Sequence, residues 1–196
     1  MVSFNFAHTF MSLKTNFHTC LLLAAALLFF AVPAFSQQPA AAPTDPEQEL
    51  QRLGIQLPKP TQPIANYVKY VRVGNLVFLS GHGPSRPDGT SVTGKLGSDL
   101  SIEQGYEAAR LTGISLIATL KDAVGGDLKK VKRVVKVLGL VNCTDTFTDQ
   151  PRVINGFSDL MTAVFGAAGK HARSAVGTNA LPGGIAVEIE MVVEVE

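Results

Sequence analysis

The sequence predicts an α+β domain in which two amphipathic helices pack on one face of a sheet of at least four strands. Three observations point there. Apolar residues recur at helical spacing after Ser101 and again after Thr148. Residues 185–196 alternate apolar and acidic positions with a period of two. β-Branched and aromatic residues crowd residues 67–80 and 131–141. Runs of strand and helix character in this order favour helices gathered on one side of a sheet.

Taken in order, residues 67–73 and 76–80 are strand-like runs separated by Gly74-Asn75, a two-residue hairpin signal. A polar, Gly-rich loop follows to Ser98. Ser101 with Gln104 three residues on has the form of a capping box, so a helix is expected from there to Gly125-Gly126. Tyr106, Ala109, Gly113, Leu116, Ile117 and Leu120 share one of its faces. Residues 131–141 (VKRVVKVLGLV) read as a covered strand. Thr148 as cap and Pro151 in the first turn open a second helix, with Val153, Phe157, Leu160, Met161 and Val164 on its apolar face, ending at Gly166. In the final strand Val187, Ile189, Met191, Val193 and Val195 face inward, opposite Glu188, Glu190, Glu194 and Glu196. A sheet covered on one side only, yet this apolar, is expected to meet further copies of the chain and to hold sites between subunits.

The first 36 residues carry another message. From Cys20 the chain runs CLLLAAALLFFAVPAFS, following Lys14 and closing on Ala34-Phe35-Ser36, the pattern of a secretory signal peptide. Residues 1–36 are therefore expected to direct export, to the periplasm or beyond, with Met11 an alternative start. Residues 37–49, rich in Pro, Ala and Gln, read as a flexible linker, and residues 50–196 as one domain.

Of the chain's 17 Lys and Arg and 16 Asp and Glu, the signal segment holds only Lys14, so the remainder has 16 of each sign. That balance, with no Trp and no basic stripe, argues against nucleic acid as partner. Once the signal is removed nothing calls for a membrane. Cys20 and Cys143 fit no metal-ligand spacing, and no glycine pattern matches a phosphate loop or dinucleotide fingerprint, so neither metal nor cofactor is expected. Among polar residues Arg173, in the segment from His171 to Ser174, stands out, because a guanidinium grips a carboxylate with two parallel bonds. A surface ion pair is its plainer reading. Glu188 and Glu190, two apart on one strand face, suit acid–base work or a merely solvated row. His82, Ser80 and Ser174 belong to no serine-hydrolase pattern.

Several segments together resemble the RidA/YjgF family of reactive-intermediate deaminases, also called endoribonuclease L-PSP proteins. They are residues 64–67 (IANY), 74–81 (GNLVFLSG), Asn155 in the second helix, residues 171–174 (HARS), Leu181-Pro182 and residues 187–190 (VEIE). The Gly-rich loop and residues 171–177 (HARSAVG) resemble the longer branch of that family. The resemblance implies a chorismate-mutase-like α+β fold, a homotrimer with clefts between subunits, and hydrolysis of 2-enamine and 2-imine acids to 2-oxo acids and ammonia without metal or cofactor. It implies that Arg173 pairs with a small-molecule carboxylate substrate and that Glu188 holds or activates water. Tyr67, Ser80, Gly81, His82, Asn155 and Ser174 would line the cleft. Ala175 stands where these deaminases commonly carry cysteine, and His82 where glutamine is usual. Two other activities stay open: a non-catalytic carboxylate-binding or chaperone-like trimer, and an endoribonuclease.

Overall fold

The computed structural model describes residues 45–60 and 65–196, all within the unit Ala41–Glu196. The signal segment and residues 37–44 of the linker lie outside the described residues. Helix α1 (Pro46–Arg52) includes residues 46–49, which composition alone assigned to the linker. An Asp-Pro pair is as good a helix start as a linker signature: Asp45 accepts from the backbone N–H of Glu47 at 3.1 Å, and Pro46 sits in the first turn, where it has no donor to lose. Buried Leu50 and the pairs Glu47–Lys121 (3.0 Å) and Asp45–Lys129 (3.1 Å) tie the helix to the domain.

Strands β1 (Tyr70–Val73) and β2 (Leu76–His82) form the expected hairpin, β1 starting three residues late and β2 running two residues further. Val73 pairs with Leu76 across Gly74, whose φ of 60° suits the first position of a tight hairpin turn. The Gly-rich loop is pinned by bridges from Thr93 to Ile185 and from Leu96 to Cys143, with Leu96 fully buried. Helix α2 (Ile102–Ala123) starts in the expected capping box: Gln104 N–H donates to Ser101 Oγ at 3.3 Å, and Ser101 N–H donates to Gln104 Oε1 at 2.8 Å. Strand β3 (Val131–Asn142) leads to helix α3 (Gln150–Phe165), whose cap position is Asp149, one residue past the expected Thr148 and without a side-chain bond. Strand β4 (Ala172–Thr178), a strand beyond those the sequence predicts, carries Arg173, and β5 (Val187–Val195) completes the sheet.

The sheet order is β1-β2-β5-β3-β4, with β4 parallel to β3 and every other pair antiparallel. This agrees with the expected α+β class, and the β3–α3–β4 passage is a crossover unit. Helices α2 and α3 pack against each other and against one sheet face, where Leu116, Ile117, Leu120, Ile154, Phe157 and Met161 bury against Val77, Val134, Ile189 and Met191. The opposite face keeps Val71 at 50% and Phe78 and Val176 at 43% exposure within the protomer.

Helices α2 and α3 approach so closely at Gly156 that a Cβ there would collide with the carbonyl oxygen of Tyr106. Helix propensity alone favours Ala over Gly by about 1 kcal/mol. Overpacking against rigid backbone costs about 1–3 kcal/mol, and here the backbone cannot yield as a side chain would. Gly156→Ala is thus expected to destabilise despite its propensity gain, read as a lower midpoint in urea unfolding, whereas the propensity effect alone would raise that midpoint.

Candidate functional site

Arg173 lies on β4 beside Val137 of β3, on the face covered by α3. Its Nη1 donates to Asn155 Oδ1 and to Ser158 Oγ, both at 2.9 Å. Ser158 Oγ in turn lies 3.1 Å from His171 Nε2, and His171 Nδ1 lies 2.7 Å from the carbonyl oxygen of Gly169. A carbonyl only accepts, so Nδ1 carries the hydrogen, Nε2 accepts from the Ser158 hydroxyl, and that oxygen accepts from Arg173. Burial holds the His171 imidazole below its ordinary pKa; the Gly169 bond opposes this shift and the positive charge of Arg173 adds to it. Phe157 meets the ring edge-on at 5.7 Å between centroids. The guanidinium is thereby fixed from one side, while its Nη2 and Nε make no hydrogen bond among the described residues. Ser158 was not singled out from the sequence; its signal is spacing, three residues after Asn155 on the same helix face.

Glu188 occupies the other face of the sheet, opposite Leu140 of β3. The β2–β5 register shifts between Leu79 and His82, and in this irregularity Gly81 lies under the Glu188 side chain so closely that a Cβ would collide with Glu188 Oε1. Glu188, Gly81, His82 and Tyr67 line one cavity of about 490 Å³, together with Lys69 and Arg86. Burial, and secondarily the charge of Glu190, raises the Glu188 pKa above the usual carboxylate value. His82 borders this cavity with its ring only 8% exposed: Nδ1 donates to the Ser80 carbonyl at 2.7 Å and Nε2 accepts from Thr119 Oγ1 at 2.8 Å. Both ring nitrogens are occupied, so His82 ties the irregular end of β2 to α2, and burial holds the imidazole below its ordinary pKa, against the opposing bond to the Ser80 carbonyl.

The remaining expected residues lie elsewhere. Ser80 donates its hydroxyl to the Lys69 carbonyl at 3.1 Å, holding β1 to β2. Ser174 accepts from Lys136 Nζ at 2.8 Å and, with Glu190 and Phe78, lines a separate hollow of about 350 Å³. Through the register, Arg173 is level with Met191 and Glu188 with Val176, so the two are two strands and three residues apart, roughly 10 Å in each direction, on opposite faces. One protomer does not bring Arg173 and Glu188 together. Among the described residues no three His, Cys, Asp or Glu side chains converge to hold a metal.

With this geometry in place, the sequence profile of the YjgF/chorismate mutase-like family matches residues 47–191. The chain belongs to the RidA/YjgF family. It is 46% identical to protein TCP17 of Trypanosoma cruzi over 146 residues, 74% of this chain and 91% of that one. A crystal structure of a protein of unknown function from Agrobacterium tumefaciens is similar at a TM-score of 0.72 and 40% identity, covering 78% of this chain and 94% of the other. A protein of Shewanella oneidensis named for a proposed endoribonuclease activity is similar at a TM-score of 0.73 and 31% identity, covering 76% and 99%. In this RidA/YjgF chain the acid Glu188 and the cation Arg173 each have a defined local support, Gly81 for the one and Asn155 with Ser158 for the other.

Two imidazoles, His82 buried and His171 half-buried, fix the sign of a pH effect. Both His82 and His171 have folded pKa values below the ordinary value near 6.5, so the unfolded chain binds protons that the folded chain refuses. Their contribution is complete above about pH 6.5 and is lost as pH falls toward the folded values. Thermal midpoints measured from pH 7.5 to 5.0 are expected to drop, with a shallower slope in His82→Gln/His171→Gln; an unaltered slope in that variant would assign the acid sensitivity to other groups.

Proposed function

We propose that this chain is a cofactor-independent hydrolase of 2-enamine and 2-imine acids, releasing 2-oxo acids and ammonia, and that it acts as an exported homotrimer with sites between subunits. The observation that carries the proposal is the half-anchored guanidinium of Arg173: two acceptors hold one side, and the free side of the fork suits a bidentate carboxylate. Family membership supports hydrolase chemistry in general. The open apolar sheet face supports assembly, and the separation of Arg173 from Glu188 in one protomer supports a site that takes Arg173 from one subunit and Glu188 from its neighbour.

The chemistry asks little beyond orientation. An iminium carbon is already electrophilic; water adds to it, the new C–O bond forms, and the C=N π electrons move to nitrogen. Glu188 takes the proton released by the water and returns it to the amine of the resulting carbinolamine. The C–N bond then breaks with its electron pair leaving on ammonia, while the carbinol hydroxyl gives its proton to the Glu188 carboxylate and the C=O bond forms; that proton passes on to the departing ammonia. Holding the substrate by its carboxylate and a water at about 3 Å supplies most of the effect. A second reading, a binding-only trimer, rests on the half-anchored guanidinium of Arg173 alone, since a carboxylate grip needs no acid beside it. An endoribonuclease, the activity for which the Shewanella protein is named, suits the 17 basic and 16 acidic residues poorly.

Release of ammonia and 2-oxo acid from freshly generated 2-imino acids tests the proposal. Arg173→Ala is expected to lower kcat/KM about 100-fold, about 2.7 kcal/mol of transition-state stabilisation, and Glu188→Gln to lower kcat by about 10²–10⁴. Assembling the two variants together should restore part of the activity, because mixed trimers then contain sites with both residues intact; sites confined to one protomer would regain none. Wild-type protein without turnover on any 2-imino acid would leave the binding-only reading.

A second expectation concerns the acid. Glu188 must be ionised to accept the water's proton and its pKa is raised by burial, so kcat/KM should fall as pH drops through a value above 4.5. A pH–rate profile of wild type against Glu188→Gln checks this, since the variant should lack that limb.

A further inference from the structure

The cavity beside Glu188 is larger and more cationic than a small imino acid requires. At about 490 Å³ it lies in the range of pockets that enclose drug-sized ligands. Its lining brings together Lys59, Lys69 and Arg86 with one acid, Glu188. None of the three cations forms an ion pair among the described residues.

Arg86 is delivered to this cavity by the Gly-rich loop, which is a miniature hairpin rather than a slack connection. Ser85 bridges to Ser91, Arg86 N–H donates to the Thr90 carbonyl at 2.7 Å, and Gly89, at a φ of 86°, closes the turn by donating to the Arg86 carbonyl at 2.9 Å. The carboxylate of the same turn, Asp88, is engaged by the backbone N–H and hydroxyl of Thr90 at 2.9 and 2.7 Å. Arg86 Nη1 donates to the Ser91 carbonyl at 2.9 Å and to Thr90 Oγ1 at 3.3 Å, leaving Nη2 and Nε without a hydrogen bond among the described residues. Arg86 is thus oriented by its own loop with the three N–H donors of Nε and Nη2 unengaged among the described residues, the same half-anchored arrangement as Arg173.

We propose that this cavity takes a substrate whose side chain ends in a second anionic group, a dicarboxylic 2-imino acid, and that Arg86, assisted by Lys69, reads that group. The inference rests on the deaminase reading: the 2-carboxylate is gripped by Arg173 of a neighbouring subunit, the reacting carbon lies at Glu188, and the side chain extends into the cavity. A neutral chain in the same position would leave the cationic groups without a counter-charge and would forgo charge-assisted bonds.

The test measures binding and turnover separately on the purified protein. In calorimetric titrations 2-oxoglutarate, the product of a dicarboxylic 2-imino acid, is expected to bind at least about tenfold more tightly than the neutral 2-oxopentanoate. In Arg86→Gln that ratio should shrink to about two or less, and Arg86→Lys should recover part of it. Turnover of the 2-imino acids made from glutamate and from norvaline should show the same preference in kcat/KM, with the same collapse in Arg86→Gln. Equal affinities in wild type, or a ratio unchanged in Arg86→Gln, would overturn the inference. A binding preference that depends on Arg86 without turnover of any 2-imino acid would sink the deaminase reading and keep the anion site. Turnover of the norvaline-derived acid without any preference would do the reverse.

Discussion

The two long helices cover one face of a five-stranded sheet, and alternation along each strand then assigns every side chain to one of two environments. On the helix side Val134, Val137, Ile189 and Met191 vanish into the core, and Arg173, set on the edge strand at the same level as Val137, is met by polar groups of α3 instead of apolar ones. On the other side Glu188 lies beside Gly81, and burial, with the charge of Glu190 second, holds its proton more tightly than usual. Arg173 and Glu188 are therefore separated by the sheet itself. No rotamer change within a protomer reunites groups on opposite faces two strands apart, so a reaction using both requires a second copy.

Much of this arrangement can be read from the chain, and the reasons for the rest are physical. The capping box at Ser101 and Gln104, the Gly74 turn and the period of β5 are local signals, and each appears in the structure where the sequence puts it. Strand β4 is not locally encoded: Ala172, Ser174, Ala175 and Gly177 have little strand preference, and parallel pairing with β3 supplies what they lack. Helix α1 is short and built from Pro, Gln and Glu, so only its buried Leu50 and its two ion pairs distinguish it from a linker.

The site divides in the same way. Arg173, Glu188, Asn155 and Gly81 were recognisable as residue types at matching positions, whereas what supports them was not. Ser158 reaches Arg173 from α3, and His171, two residues before Arg173 in the chain, acts on it only through the Ser158 hydroxyl. His82 lines the cavity beside Glu188, and both its ring nitrogens are occupied, a fact that depends on Thr119 thirty-seven positions away. Ser80 and Ser174 are likewise engaged by Lys69 and Lys136. In each case the residue's identity was legible and its partner was not.

The strand order has a consequence for how the protein is made. β5 lies between β2 and β3, yet it follows every other strand in the chain. During synthesis the β1–β2 hairpin and the β3–α3–β4 unit can each begin to organise, but nothing hydrogen-bonds one to the other until residues 187–195 have left the ribosome and slid between them. Until then both halves present unpaired edges flanked by apolar side chains, the condition in which nascent chains pair with the wrong neighbour. Glu188 arrives on that same strand, so the proposed acid and the closure of the fold are delivered in a single late event.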